Sequence, residues 1–444
     1  MSTASRYAEK KARLQQGWQQ GEGPLRLEKS TISNLFRYQP RGAATRRVSL
    51  REFNEVIELD AAAGTLEVEG LTTFETIVSH TLPHGFLPLV APELKHITIG
   101  GATVGIGIES TCFRYGFVHD SLIEADVLLP DGRIVTCTDD NEHADLFRAL
   151  PNSYGTLGYI LRAKIRLHAA KPYTQLEMRS FADTQQYLDA MAAATERDDL
   201  DFVEGLFYEG HRFILMTGRM TDTAPYVDDI VRRDVFYKLV DWRNEIYLRT
   251  QDYIFRYDPE WFWNLPDTLF YTLFRRYAPL QYRNSSFYTR YVASRERLET
   301  KLLGKRPKTT EPLIQDWEVP WDRAAELIEF CLAEVELDGR PWAAVPIRAP
   351  RTPTLYPIRA NELYFNLGCY LQVRKPQSRG DYYYTRILDE KCFELDGIKM
   401  LYSSTFLDKP AFDARFNGAA YAELKAKYDP AGNAQTLFDK VSMR

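Results

Sequence analysis

The residues best suited to chemistry lie between Ala91 and Thr111, where Gly100, Gly101, Gly105 and Gly107 stand among β-branched apolar residues. Glycine admits φ > 0 and lets a ligand approach the backbone with no Cβ in the way. A run of such positions can aim successive N–H groups at one anion, forming a nest for a phosphate. From Gly105 the sequence reads G-x-G-x-x-S, close to a dinucleotide fingerprint. That fingerprint needs an amphipathic helix after it. Here Phe113 to Asp120 and then a strand follow, so the Rossmann reading fails. On the glycines alone, a phosphate-cradling loop and a tight turn stay equally open. Glu109 directly follows the glycines. As a carboxyl in an apolar pocket it would have a raised pKa and could manage a proton. As a brace it would accept backbone N–H groups of its own loop. His119, Tyr115 and Tyr402 are the other ionisable groups that could serve.

The surrounding pattern says what positions that stretch. Leu122 to Leu129 predicts a strand, Pro130-Asp131-Gly132 a turn, and Arg133 to Thr136 the returning strand. A short helix at 142–150 and a strand ending at Leu167 follow. Upstream, residues 5–19 predict a polar helix stopped at Gly21, and Leu25 to Leu27 a strand. Glu55 to Leu59 and Thr65 to Glu69 predict a hairpin, and Leu71 to Leu82 a helix ended by Pro83 and Gly85. After Lys171-Pro172 the texture changes to a helix at 183–196 and strands at 202–208 and 212–220, which suits an antiparallel sheet. Further strands are expected at 342–348 and 362–373, a helix from Pro320 to about Glu336, and a mostly helical end. Between them, Trp261 to Tyr277 packs large rings beside two arginines. A buried cap helix with surface arginines is the preferred reading, and a helix lying in a membrane interface is the alternative.

The glycine stretch, together with Asn152-Ser-Tyr-Gly-Thr-Leu-Gly-Tyr-Ile160, resembles the vanillyl-alcohol-oxidase (VAO/PCMH-type) FAD-binding flavoproteins. Within them the closer resemblance is to the Δ24-sterol reductase (seladin/diminuto) family. It is carried by Gly101 to Ser110, Tyr115-Gly116, Gly155-Thr-Leu-Gly158, Phe202 to Tyr208, Met216 to Asp222, Asn361 to Tyr364 and Met400-Leu-Tyr402. The resemblance implies an α+β, two-domain VAO/PCMH-type fold. Residues 1–170 would form the FAD-binding domain, 171–400 an antiparallel-sheet cap over the substrate, and 401–444 a segment returning to the FAD domain. It implies FAD contacts from Thr98, Ile99, Gly100, Gly101 and Thr103, and from Gly105, Gly107, Ile108 and Ser110. Tyr115, Gly155, Thr156, Gly158, Ile160 and Tyr421 would add to them. The family's pyrophosphate loop falls at Lys29 to Asn34, where Ser30, Thr31 and Ser33 offer hydroxyl donors. That loop has no histidine or cysteine, so the FAD is expected to be non-covalent. The eukaryotic members carry a hydrophobic N-terminal segment that has no counterpart here.

Composition sets the remaining bounds. A chain of 444 residues suggests two domains. A net charge of −5 and a pI near 5.9 argue against a nucleic-acid partner. Five cysteines with no C-x-x-C pair suit a reducing cytosol better than a disulfide framework. His80 and His84 have no third ligand nearby in sequence, so no metal is expected. No signal peptide and no stretch of about 20 apolar residues is present, so a cytoplasmic protein, at most peripheral to a membrane, is expected.

The chemistry expected is FAD-dependent oxidoreduction of a carbon–carbon double bond in an apolar, lipid-like substrate, either a sterol side chain or a branched or methylene-bearing acyl chain. A hydride would pass through flavin N5 and a protein acid would supply the proton. NADPH is the expected reductant, reaching the same flavin face in turn. Two alternatives stand beside it: an FAD-dependent alcohol or hydroxy-acid oxidase or dehydrogenase, and a non-catalytic FAD-holding protein.

Overall fold

The structure is a computed structural model that describes residues 2–18, 25–29, 46–261, 263–264, 268–291, 294, 310–375 and 378–443. Helix α1 (Thr3–Gln16) begins where Ser2 accepts the Ser5 N–H, and it ends at Gly17, four residues before the expected stop. It lies across the first sheet. The Lys10 ammonium bonds both oxygens of buried Glu69 at 2.9 Å, and the Tyr7 hydroxyl donates to Asp126 at 2.6 Å. Strands β1 (Leu25–Glu28) and β2 (Arg46–Ser49) form a small parallel pair.

The first large sheet holds β3 (Val56–Asp60), β4 (Thr65–Glu69), β5 (Phe86–Pro88), β6 (Leu122–Leu128), β7 (Ile134–Thr138) and β8 (Tyr159–Ala169). Its order is β3-β4-β8-β6-β7, with β5 added along β8. The predicted hairpins form where glycine supplies the left-handed turn residue, Gly64 at φ 63° and Gly132 at φ 95°. Helix α2 (Phe74–Thr81) is shorter than expected, because Thr73 rather than Leu71 caps it. Helices α3 (Ile99–Val104), α4 (Cys112–Tyr115) and α5 (Ala144–Ala149) connect these strands.

The second sheet starts at Tyr173, four residues after β8 ends. It contains β9 (Tyr173–Phe181), β10 (Phe202–Tyr208), β11 (Arg212–Thr221), β12 (Glu245–Arg249), β13 (Thr310–Pro320), β14 (Trp342–Ile347), β15 (Tyr364–Arg374) and β16 (Ile398–Lys399). Every ladder is antiparallel, in the order β12-β9-β11-β10-β14-β15-β13-β16. Helix α6 (Thr184–Thr195) covers one face. Short helices α7 (Phe236–Trp242) and α8 (Thr250–Ile254) lead to α9 (Leu269–Tyr277). The strand β13 was not foreseen as such. Its acids Asp316 and Glu318 interrupt the apolar pattern that marks strands elsewhere.

The stretch 261–277 divides, which corrects the expectation of a buried cap helix. Trp263 is core, 2% exposed, and packs edge-on against Tyr257 and Tyr237. Helix α9 buries no residue at all, and Leu269, Phe270 and Tyr277 are 76%, 65% and 71% exposed. No helix among the described residues is long and apolar enough to cross a membrane.

The sheets meet through the glycine stretch. The Val203 N–H on β10 donates to the Ser110 carbonyl at 3.0 Å, and the Arg348 N–H beyond β14 donates to the Cys112 carbonyl at 3.1 Å. One apolar core runs from Leu66 and Ile99 through Phe113 to Leu206, Trp317 and Leu367. The C-terminal residues come back to the first half: Lys425 Nζ donates to the Thr156 carbonyl at 2.9 Å, and Leu25 N–H to the Asn433 carbonyl at 2.6 Å.

Candidate functional site

The glycine stretch folds differently from a run of left-handed residues. None of Gly100, Gly101, Gly105 and Gly107 has φ > 0; the left-handed residue is Ile106 at φ 58°, a costly place for a β-branched side chain. The glycines serve close approach instead. A Cβ on Gly100 would lie 2.7 Å from the Gly70 carbonyl, one on Gly105 2.8 Å from the Gly101 carbonyl, and one on Gly107 2.6 Å from Val118 Cγ2. Three of the expected nest donors are already engaged, the Gly107 N–H by the Ala102 carbonyl at 2.9 Å. The Gly100 N–H bonds the Gly70 carbonyl, and the Gly101 N–H bonds the Thr98 hydroxyl that caps α3. Gly101 remains exposed, so its backbone is open to a ligand.

The other expected cofactor contacts sort by burial. Ile99, Thr103, Ser110 and Ile160 are buried in packing. Thr103 Oγ1 bonds the Ile99 carbonyl, and Ile160 fills the space beside Gly100. Ile108 is half-buried, as is Tyr115, whose ring lies over His168. The segment 152–158 makes a turn with Asn152, Tyr154 and Gly155 left-handed, at φ 62°, 49° and 75°. It clasps the glycine loop: the Tyr154 N–H donates to the Val104 carbonyl at 3.1 Å, and its hydroxyl to the Gly105 carbonyl at 3.3 Å. From the other side the Lys440 ammonium reaches the Tyr154 carbonyl at 2.5 Å, beside Lys425 on Thr156. The Tyr421 hydroxyl accepts the Leu437 N–H at 2.8 Å, and Tyr421 lies close to Thr156. Gly158 begins β8 with a Cβ position 2.6 Å from Val127 Cγ1. Three segments far apart in sequence thus converge on one open loop backbone, an arrangement that fits a dinucleotide laid along it. Ser30, Thr31 and Ser33 lie outside the described residues.

Glu109 is not a free acid. The Arg256 guanidinium, fully buried, bonds it through Nη2 at 2.7 Å and Nη1 at 3.2 Å, and the Ser110 N–H donates to the same carboxylate at 2.7 Å. Arg256 also holds Glu204 of β10 at 2.7 Å. Tyr253 donates to Glu204 at 2.8 Å, which leaves Ser110 Oγ as the donor to Tyr253 at 2.9 Å. Burial pushes the Glu109 carboxyl up, and the guanidinium pulls against it. Glu93 stands off at 3.9 Å from Arg256, and burial, reinforced by Glu109, pushes its carboxyl well up. The group ties the glycine stretch to the second sheet. His119 is buried and stacked on Phe117, with neither ring nitrogen hydrogen-bonded among the described residues. Burial pulls its pKa down to about 4, with Asp120 opposing and Arg351 assisting, so it is neutral and a poor acid.

Tyr402 meets a partner that sequence reasoning missed. Its hydroxyl and that of Tyr370 on β15 both donate to Asp316 Oδ2, each at 2.6 Å. Gly368 lies opposite Asp316 in the ladder, and a Cβ there would sit 2.9 Å from Asp316 Oδ1, so glycine leaves room for the carboxyl. Asp316 is 2% exposed, whereas Tyr402 is half-buried. Burial pushes the Asp316 carboxyl up to about 6, against the lowering hydrogen bonds of Tyr370, Tyr402 and Asn366. Next on the same face, Glu318 accepts Tyr356 and the Asn366 amide, and burial with Asp316 beside it pushes its carboxyl well up. Glu93, in the segment leading to the glycine loop, acts on this cluster through its charge. A Cβ at Gly107 would lie 3.3 Å from Pro92, and the adjacent Glu93 is close enough to Tyr370 to help raise its phenol, after burial and Asp316. The sequence signal was Asp316-Trp-Glu318, two acids at the strand's period of two in an apolar setting. Arg256 gave no such signal. Among the described residues no group of three His, Cys, Asp or Glu could hold a metal ion, and the five cysteines are buried and unpaired.

Comparison with known proteins bears on this arrangement. The FAD binding domain family matches residues 40–138. The chain is similar to the Delta(24)-sterol reductase of Homo sapiens, 26% identical over 402 residues that cover 87% of this chain and 76% of the relative. It is similar to the Delta(24)-sterol reductase homolog of Caenorhabditis elegans, 23% identical over 437 residues, 92% of this chain and 81% of the relative. The Delta(24)-sterol reductase of Pisum sativum is 34% identical over a shorter stretch of 182 residues, 39% of this chain and 32% of the relative. With its α+β fold, its loop within the matched segment and this likeness along most of its length, the chain is similar to the Delta(24)-sterol reductases and carries an FAD binding domain match at residues 40–138.

Proposed function

We propose that the protein is an FAD-dependent reductase of a carbon–carbon double bond in an apolar, sterol-like substrate, with NADPH as reductant and FAD held without a covalent bond. The relatives' activity and the FAD-binding match support the class. The geometric observation that carries the reading is a buried carboxyl, Asp316, bonded by two phenols on the second sheet. When bound, FAD supplies hydride transfer at its ring. Thr98, Gly101 and Gly105, with Tyr154 to Thr156 and Tyr421, would hold it.

The rest falls to the chain's own groups. Reducing an isolated double bond requires a proton at one carbon, delivered by a group that is protonated and within reach. Burial raises Asp316 to about 6, so it holds a proton below that pH, and Tyr402 stands nearer solvent than Asp316. When Asp316 is protonated the hydrogen bond reverses, the carboxyl donating to the phenol oxygen; Tyr402 then releases its phenolic proton to the substrate carbon as Asp316 passes its own to that oxygen and is left as the carboxylate. Tyr370 fixes the carboxyl from the other side. Glu109 and Arg256 position the loop and take no part in the transfer. The protein works in the cytoplasm and meets its lipid-like substrate at a membrane surface, with peripheral contact through the 261–277 segment.

The test is anaerobic reduction of the bound flavin with NADPH, followed by mixing with a Δ24-unsaturated sterol in detergent. Reoxidation by the sterol and slow reoxidation by oxygen are expected. Rapid reoxidation by oxygen with none by sterol would replace the reductase reading with an oxidase.

A further inference from the structure

Helix α9 carries an apolar face that no described residue covers. Leu269, Phe270, Leu273 and Tyr277 fall on one arc of the helix, and none of its nine residues is buried. The face continues into Leu280 and Tyr282, which are 47% and 40% exposed. Cations rim it. The chain as a whole is acidic at −5, yet Arg232, Arg233, Arg275 and Arg276 lie close together here, with the buried Arg283 behind them. Arg275 donates to the carbonyls of Asp234 and Arg233 at 2.7 and 3.1 Å, and Arg283 to that of Val231 at 3.4 Å. These are carbonyl contacts, which leave the guanidinium charges in place. Asp234, paired with Arg233 at 3.1 Å, offsets one of them.

Beneath α9, against α7, lies a cavity of about 250 Å³. Arg233, Lys238, Arg275 and Arg340 line it, with Trp242 and Trp263 as aromatic walls. Glu260 opens onto it, 5% exposed, with Oε1 lacking a hydrogen-bond partner among the described residues. Burial pushes the Glu260 carboxyl well up against the pull of Arg275, Lys238 and Arg340, so it can stand neutral and donate its proton in a hydrogen bond. Such a cavity offers convergent cations and one O–H donor to a phosphate. An apolar helix face beside it suits the acyl boundary of a bilayer.

We propose that α9 and this cavity form a docking site for an anionic phospholipid surface, with a headgroup phosphate between Arg233, Lys238, Arg275 and Arg340 and the Leu269–Tyr277 face in the acyl boundary. The site deepens the peripheral contact of the proposed function and rests on that reading for its purpose, but it is tested without turnover. Phosphatidylcholine vesicles with and without phosphatidylglycerol are sedimented with the protein. Binding should require the anionic lipid and weaken at high salt. Arg233→Gln and Arg276→Gln, both at exposed side chains, should each weaken it about fivefold, as about 1 kcal/mol per basic residue near a charged surface implies. Phe270→Ser with Leu273→Ser should abolish it, with an unchanged urea midpoint and unchanged sterol-dependent flavin reoxidation in detergent. Equal binding to neutral and anionic vesicles, or binding to neither, would overturn the proposal. So would displacement by inorganic phosphate with the apolar variants still bound, the mark of a soluble-anion site. A dimer that the Phe270→Ser, Leu273→Ser variant dissociates would assign the face to a second copy of the chain. Loss of sterol turnover in detergent with vesicle binding intact would count against the reductase and leave the docking site standing.

Discussion

Replacing Asp316 by Asn tests the proton-holding cluster through stability and rate together. The carboxyl stands at about 6 in the fold against 3.8 for an ordinary aspartate. Between those values the native state keeps a proton that the unfolded chain has released. The stabilising contribution is fully present below the unfolded value and is lost as pH rises through about 6. Above that, the wild type pays for ionising a carboxyl that is 2% exposed. The difference between the two values corresponds to about 3 kcal/mol. Asparagine has the same outline, its carbonyl can accept the Tyr370 and Tyr402 hydroxyls, and it does not ionise. Urea denaturation at about pH 4 and about pH 8 should therefore show the variant gaining on the wild type by up to about 3 kcal/mol at the higher pH. Sterol-dependent flavin reoxidation should fall about 10²- to 10⁴-fold in the same variant, while NADPH-dependent reduction persists. In the wild type that reoxidation should rise as pH falls through about 6, where the pair gains its proton. An equal loss of stability at both pH values would mean that Asp316 is buried as a needed anion, and the proton-transfer reasoning would fail.

Other perturbations separate structural from chemical roles. Glu109→Gln leaves Arg256 with one carboxylate fewer in a buried site and should cost about 3 kcal/mol in urea denaturation; flavin content should drop, and turnover per bound flavin should stay within a few-fold of wild type. Gly107→Ala should already disturb the loop, because its Cβ would lie 2.6 Å from Val118 Cγ2; a stability loss of about 1–3 kcal/mol with weakened flavin retention is expected, and full retention would remove the close-packing account. Acid precipitation should leave the flavin in the supernatant, and colour in the pellet would show a covalent bond.

Much of the fold was legible because local chemistry and burial agree along it. Phe202 to Tyr208 reads as a strand and forms one with the predicted bounds, and the turns at Gly64 and Gly132 form where their sequences place them. Misreadings arose where tertiary contacts override local pattern. The four loop glycines suggested left-handed backbone, yet what they accommodate is Gly70, Val118 and the loop's own carbonyls, none of which local sequence reveals. Aromatic density at 261–277 suggested core. Among the described residues Trp263 is the buried one, with Tyr237 and Tyr257 closed around it; Trp261 and Phe274 pack on Tyr288 and Phe287, while Leu269, Phe270 and Tyr277 of α9 face outward.

The two acids of the site show why position beside a loop is a weaker guide than the company a carboxyl keeps. Glu109 attracted attention by adjacency to the glycines. Its decisive partner, Arg256, lies on another element, after α8, and nothing around Glu109 in sequence announces it. A carboxylate bonded by a buried guanidinium and a backbone N–H has part of its charge compensated where it stands, although burial still raises Glu109 and Arg256 keeps Glu204 as a second partner. Asp316 has the opposite surroundings. Phenols and an amide supply its hydrogen bonds, and no ion pair among the described residues neutralises it. Hydrogen bonds from neutral donors offset only part of the cost of a buried charge, so the neutral acid is favoured up to about pH 6. Both carboxyls are raised by burial, but only Asp316 has a phenol, Tyr402, bonded to it through which a proton could pass, whereas Glu109 is tied to a guanidinium; that difference in partners assigns Glu109 to architecture and Asp316 to proton transfer.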